Sequence, residues 1–160
     1  MIKVGDKIPS VKIKVAAETG GGEETTTEAL FANKKVVLFG VPGAYTPTCS
    51  AKHLPGFVEQ ADALKAKGVD LIACVSVNDA FVMGAWGKDQ KAFGKVTMLA
   101  DGNADLAKAM GLELDLNVAN MGLRNKRYAA IIENGVVSTL AVEEAGKFEV
   151  SSAEAIAAKL

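Results

Sequence analysis

A chain of 160 residues, 49% hydrophobic and with a formal net charge of −1, has the length and apolar content of one domain, spanning 1–160, with a sizeable core. Its 18 basic and 19 acidic residues are dispersed, so no cationic stripe suits a phosphate backbone, and nucleic acid is excluded as a partner. The longest apolar runs, 36–41 and 71–75, fall far short of the roughly 20 residues that cross a bilayer, and residues 1–15 lack a continuous apolar stretch, so a soluble, cytoplasmic protein is expected.

Along the chain, "VKIKV" at 11–15 alternates as a half-buried strand does, and the glycine-rich "ETGGGEETTT" breaks it. That run lacks the Lys-Ser/Thr of a phosphate loop and reads as a hairpin loop. Thr27–Asn33 predicts a short capped helix, and "KVVLFGV" at 35–41, apolar on both faces, a central strand. From Pro47 to Lys67, Leu54, Phe57, Val58, Ala61 and Leu64 recur at helical spacing; Pro55 inside predicts a kink near His53 and Leu54. "VDLIACVSV" at 69–77 predicts a second central strand, followed by a helix capped by Asn78 or Asp79 on which Phe81, Met83 and Trp86 line a core face or a dimer surface. "VTMLAD" is a third strand, "NADLAKAMG" a short helix ended by Gly111, and Asn134-Gly135 the turn of a hairpin. A capping box from Ser151 to Glu154 opens the last helix. The order predicts a single α/β domain, a mixed sheet with helices on both faces, compatible with a thioredoxin-like fold.

Two cysteines and one histidine without a C-x-x-C pair exclude both a disulfide scaffold and a structural zinc site. In "VPGAYTPTCS" (41–50), Thr46 is placed as an N-cap, Pro47 as the first helical residue and Cys49 as the third. Cys49 then lies among unpaired amides at the positive end of a helix, where a thiolate is favoured. Pro42 and Gly43 turn the chain out of the sheet, placing Cys49 at the carboxyl end of a central strand, where open α/β sheets build their sites. Local signals leave two readings, a reactive thiolate or a small residue buried in a helix. Cys74, in mid-strand, reads as a buried structural thiol. His53, four residues after Cys49, is either a solvated or capping residue that tunes the pocket or the base of a Cys-His pair.

"GVPGAYTPTCSAKHLPGF" resembles the peroxidatic segment of peroxiredoxins, P-x-x-x-T-x-x-C, and in particular the peroxiredoxin-5 subfamily, whose members carry a near-identical stretch ending in H-L-P-G-F. "VSVNDAFVMGAW", "LADGNADLAKAMGLELD" and "GLRNKRYAAIIENG" extend the match. The resemblance implies a thioredoxin fold, thiol peroxidase activity on hydrogen peroxide and organic hydroperoxides, no cofactor, and a homodimer. It implies Cys49 as the peroxidatic nucleophile, Thr46 as the hydroxyl that contacts the peroxide, Pro42 and Gly43 in the pocket loop, and Arg124 as the arginine of the R-x-x-R-Y stretch that holds the thiolate. The subfamily's two-cysteine members carry a resolving cysteine near the C-terminal helix, where this chain has Val150, Ser151 and Ser152. A one-cysteine mechanism is therefore expected, with an external thiol as reductant: glutathione and glutaredoxin first, thioredoxin as the other possibility.

Ionisation alone does not make a fast peroxidase. Lowering a thiol's pKa by about 2.5 units raises the thiolate about thirtyfold at pH 7. A Brønsted slope of about 0.4–0.5 takes back more than tenfold of that. Rate must then come from donors aimed at the reacting oxygens. The same chemistry would serve a peroxide sensor that passes oxidation to a partner, whereas a thioredoxin-like interaction domain would leave Cys49 sluggish.

Overall fold

In the computed structural model, which describes residues 1–160, β1 (Lys12–Val15) and β2 (Glu23–Thr26) form an antiparallel hairpin with the glycine run in its loop. The Thr26 hydroxyl caps α1 (Thr27–Phe31), and β3 (Lys35–Gly40) follows, its last five residues buried. A π turn (Cys49–His53) leads into α2 (Leu54–Ala66), then β4 (Leu71–Ser76) and α3 (Ala80–Asp89), which Asp79 caps. β5 (Thr97–Ala100) precedes α4 (Asp105–Met110), which ends on Gly111 in the left-handed conformation. The short β6 (Glu113–Asp115) and β7 (Leu123–Asn125) pair as a separate ribbon. The hairpin β8 (Tyr128–Glu133) and β9 (Val136–Val142) and then α5 (Ala153–Ala157) complete the chain.

The seven-stranded sheet runs β2-β1-β5-β4-β3-β8-β9. β3 pairs in parallel with β4 and antiparallel with β8, so the sheet is mixed. Successive side chains of a strand point to opposite faces, and those of β3 divide accordingly. Val37 and Phe39 join Leu54, Phe57 and Leu64 of α2 and Met83 and Trp86 of α3. Val36 and Leu38 join Phe31 of α1 and Leu106 and Met110 of α4. Fully burying one such side chain stabilises the fold by about 1.5–3 kcal/mol. No helix is long and apolar enough to cross a membrane.

Four sequence-based expectations shift. Just before Pro55, at the expected kink, the helix widens into a π turn: Leu54 donates to the carbonyl of Cys49, five residues back. Pro55 has no amide to continue that register onto Ser50, and the Ser50 carbonyl is met instead by Gln90 Nε2 at 3.2 Å. Ser152, not Ser151, caps α5, accepting from the Ala155 amide at 3.1 Å. The β6–β7 ribbon went unread because three-residue strands carry no period. Of the three large residues on α3, Met83 and Trp86 are fully buried while Phe81 is 67% exposed, so only the last is free to face a partner.

Candidate active site

β3 ends at Gly40, and the chain turns through Pro42, Gly43 and Ala44 before helical structure begins at Pro47. Two contacts fasten this loop to β4: the Ala44 amide donates to Asn78 Oδ1 at 3.0 Å, and the Ser76 hydroxyl donates to the same oxygen at 2.6 Å. Thr46 lies one residue before the helix, but its hydroxyl does not cap it. It donates to the Gly43 carbonyl at 2.7 Å, which leaves the oxygen's lone pairs free to accept. Cys49 opens the π turn, fully buried at the carboxyl end of β3.

The cation on the sulfur is Arg127, which corrects the assignment to Arg124. Arg127 Nη2 donates to Cys49 Sγ at 3.0 Å. The reason lies in the register. Gly40 pairs with Tyr128, so the residue just before β8 stands beside the end of β3, where the loop that leads to the Cys49 turn begins. Arg124 belongs to the β6–β7 ribbon instead. There its Nε donates to the Met121 carbonyl at 2.8 Å and its Nη1 to Val77 at 3.4 Å. A Cβ added to Gly43 would stand 3.1 Å from Arg124 Nη1, so Arg124 braces the pocket loop from outside.

His53 is neither solvated nor a cap nor a pocket wall. It is fully buried, 4.9 Å ring to ring from Phe39 and edge-on to Phe148 at 5.0 Å. Its Nε2 lies 2.8 Å from the Ser151 carbonyl, which can only accept, so Nε2 carries the proton. Nδ1 therefore accepts from Arg127 Nη1, at 2.9 Å. Burial and then the Arg127 charge push the His53 pKa down to about 3, so the ring is neutral at physiological pH. Both nitrogens are engaged away from Cys49, which removes the Cys-His base reading.

Cys74 is buried in β4, paired with Phe39 across the strands, and both cysteines are free thiols. Burial, and after it the neighbouring Cys49, push the Cys74 thiol well up, as expected of a structural thiol. In front of Arg127 opens a cleft of about 570 Å³, walled by Pro42, Thr48, Leu114, Leu116 and Lys126. The site thus joins a buried sulfur to a guanidinium whose residue also lines an adjoining cleft.

The family model described as Redoxin matches residues 3–157. The chloroplastic peroxiredoxin-2E-2 of rice is 54% identical over 158 residues, covering 96% of this chain and 70% of the rice protein. The chain belongs to the peroxiredoxin family. Peroxiredoxin-2B of Arabidopsis thaliana is 48% identical, covering 97% of this peroxiredoxin and 96% of its own length. Reduced Prx3 of Vibrio vulnificus, solved in complex with hydrogen peroxide, superposes with a TM-score of 0.93 at 55% identity over the whole of both chains. The fold is thus the thioredoxin-like fold of peroxiredoxins, and the protein is a thiol peroxidase, an oxidoreductase. Sequence reasoning missed Arg127 and the Ser151 carbonyl that meets His53 in this peroxiredoxin. Only Arg127 left a local trace, as the second arginine of "RNKRY".

Proposed function

We propose that Cys49 is the peroxidatic residue and that its thiolate attacks the distal oxygen of hydrogen peroxide or an organic hydroperoxide. The S–O bond forms as the O–O bond breaks; sulfur is oxidised to the sulfenic acid, and the leaving oxygen takes a proton to depart as water or an alcohol. The single observation that carries this reading is Arg127 Nη2 at 3.0 Å from Cys49 Sγ. A guanidinium there faces both the thiolate and the incoming oxygens, and its donors are fixed before charge moves from sulfur to the leaving oxygen. The Thr46 oxygen, held by Gly43, accepts from the peroxide O–H. Pro42, which lines the cleft, would shield the thiolate.

For the second half-reaction we propose a one-cysteine cycle. Two equivalents of an external thiol return the sulfenic acid to the thiol, releasing water and a disulfide. Burial of Cys74 in β4 and the serines at 151 and 152 support this reading; on the resemblance to the peroxiredoxin-5 subfamily alone, glutathione with glutaredoxin is taken before thioredoxin as the source. The stretch His53-Leu54-Pro55-Gly56-Phe57 supports the finer placement in the peroxiredoxin-5 subfamily. A cytoplasmic setting fits two unpaired cysteines. The exposed rings of Tyr45 and Phe81 support a homodimer, which sedimentation tests.

The deciding experiment measures consumption of hydrogen peroxide and an alkyl hydroperoxide by wild type and Cys49→Ser, with each reductant system in turn. Turnover by wild type and none by Cys49→Ser is expected. Activity that survives Cys49→Ser overturns the assignment.

A further inference from the structure

Glu143 follows β9 directly, and its amide donates to the Arg127 carbonyl at 2.9 Å, which places it across the chain from the arginine. Its carboxylate is buried, and one oxygen, Oε2, accepts four hydrogen bonds. The donors are the amides of Glu149, Val150 and Ser151, at 2.8, 2.9 and 2.8 Å, and the Ser151 hydroxyl at 2.6 Å. Three successive amides converging on one point form an anion nest, here filled by the chain's own carboxylate. Between the two ends the turn 144–147 is exposed, and its Lys147–Glu144 ion pair at 2.9 Å is a solvent-screened contact of little weight. The carboxylate therefore sets where residues 148–151 lie.

That segment is the back wall of the site. The Ser151 carbonyl accepts the His53 Nε2 proton, and Phe148 packs against the His53 ring with the Arg127 guanidinium carbon 5.9 Å from its centre. We infer that Glu143 is a positioning residue for the peroxide reaction, acting on Cys49 through the Ser151 carbonyl, His53 and Arg127; this rests on the reading of Cys49 as the peroxidatic residue. With the nest filled, the Ser151 carbonyl fixes the proton on Nε2 and turns the Nδ1 lone pair toward Arg127. With it empty, the carbonyl shifts, the other tautomer aims an N–H at the guanidinium, and the arginine loses the acceptor that holds its second nitrogen on the sulfur. Burial opposes the Glu143 charge, yet the four hydrogen bonds outweigh it and hold the carboxyl below its ordinary range.

The test uses the full chain with Glu143→Ala and Glu143→Gln, and with Ile132→Val as a control destabilised on the other face of the sheet. Stopped-flow oxidation by hydrogen peroxide should slow about tenfold in Glu143→Ala, the scale of a small misplacement of a positioned group. In the same variant, ¹⁵N spectra of the imidazole should show loss of the pure Nε2–H tautomer. Glu143→Gln still offers an oxygen to the nest and should stay within about threefold of wild type, and Ile132→Val should change neither readout. A wild-type rate in Glu143→Ala, or a slow rate with the His53 tautomer unchanged, overturns the inference. If Glu143→Ala does not fold, Glu143→Asp, one methylene too short to reach the nest, takes its place, and a wild-type rate there overturns it equally. A wild-type protein that consumes no peroxide sinks the peroxidatic reading of Cys49 instead, while the tautomer comparison still reports on Glu143.

Discussion

His53 accepts a hydrogen bond from Arg127 through Nδ1, at 2.9 Å, and it does so only while neutral. Its pKa falls from 6.5 to about 3 on folding, so between these values the unfolded chain binds the proton that the folded chain refuses. Stability from this group is complete above pH 6.5 and is lost as pH falls toward 3, on the order of a few kcal/mol over the window. Urea unfolding of wild type should weaken over this range more steeply than that of His53→Gln, whose amide donates to Ser151 and accepts from Arg127 without titrating. Parallel pH profiles for the two proteins would rule out a neutral buried His53.

The two arginines of "RNKRY" should separate cleanly. Arg127→Ala removes the donor on the sulfur, and its peroxide rate constant, corrected for the measured thiolate fraction, should drop by about 10²–10³, as when a preorganised donor is deleted. Arg124→Ala loosens the brace on the Gly43 loop and should cost less than about tenfold. Equal losses in stopped-flow measurements would contradict the placement of Arg127.

Gly40 has no room for a side chain. A Cβ there would stand 2.2 Å from Cε1 of the fully buried Tyr128 ring. Gly40→Ala should destabilise the protein by about 1–3 kcal/mol through overpacking. Since Gly40 pairs with Tyr128 beside Arg127, the peroxide rate should fall as well. Chemical denaturation and stopped flow on the same preparation check both outcomes.

Cys74 is the remaining thiol, and the one-cysteine cycle makes it dispensable. Cys74→Ala should keep turnover with glutathione and glutaredoxin close to wild type, with a modest stability loss from the vacated volume. Mass spectrometry of wild type after one equivalent of peroxide should show Cys49 as a sulfenic acid or mixed disulfide. A stoichiometric Cys49–Cys74 link rejects the cycle.

The loop and the placement of Cys49 at a helix start were legible because their signals are local: Pro42, Thr46, Pro47 and Cys49 lie within eight residues, and strand ends are rules about neighbours, although the cap expected of Thr46 goes to Gly43 instead. The doubly apolar β3 likewise announced helices on both faces. The arginine was not legible, since both Arg124 and Arg127 satisfy the pattern and only the pairing of Gly40 with Tyr128 chooses between them. His53 fell on the predicted face of the helix, but its burial depends on Phe148, 95 residues later, and on a carbonyl brought in by Glu143. No periodicity encodes a loop wound around one carboxylate oxygen.

Cys49 and Arg127 are 78 residues apart and meet only because β3 and β8 lie side by side. Such a pairing closes a long loop and is among the slower steps a folding chain takes. During synthesis, a nascent chain that has not yet reached residue 127 carries the cysteine without its cation. The arginine–sulfur contact is therefore a marker of the molecule's own assembly: it forms when the β3–β8 seam closes, and not with the helix that bears the sulfur.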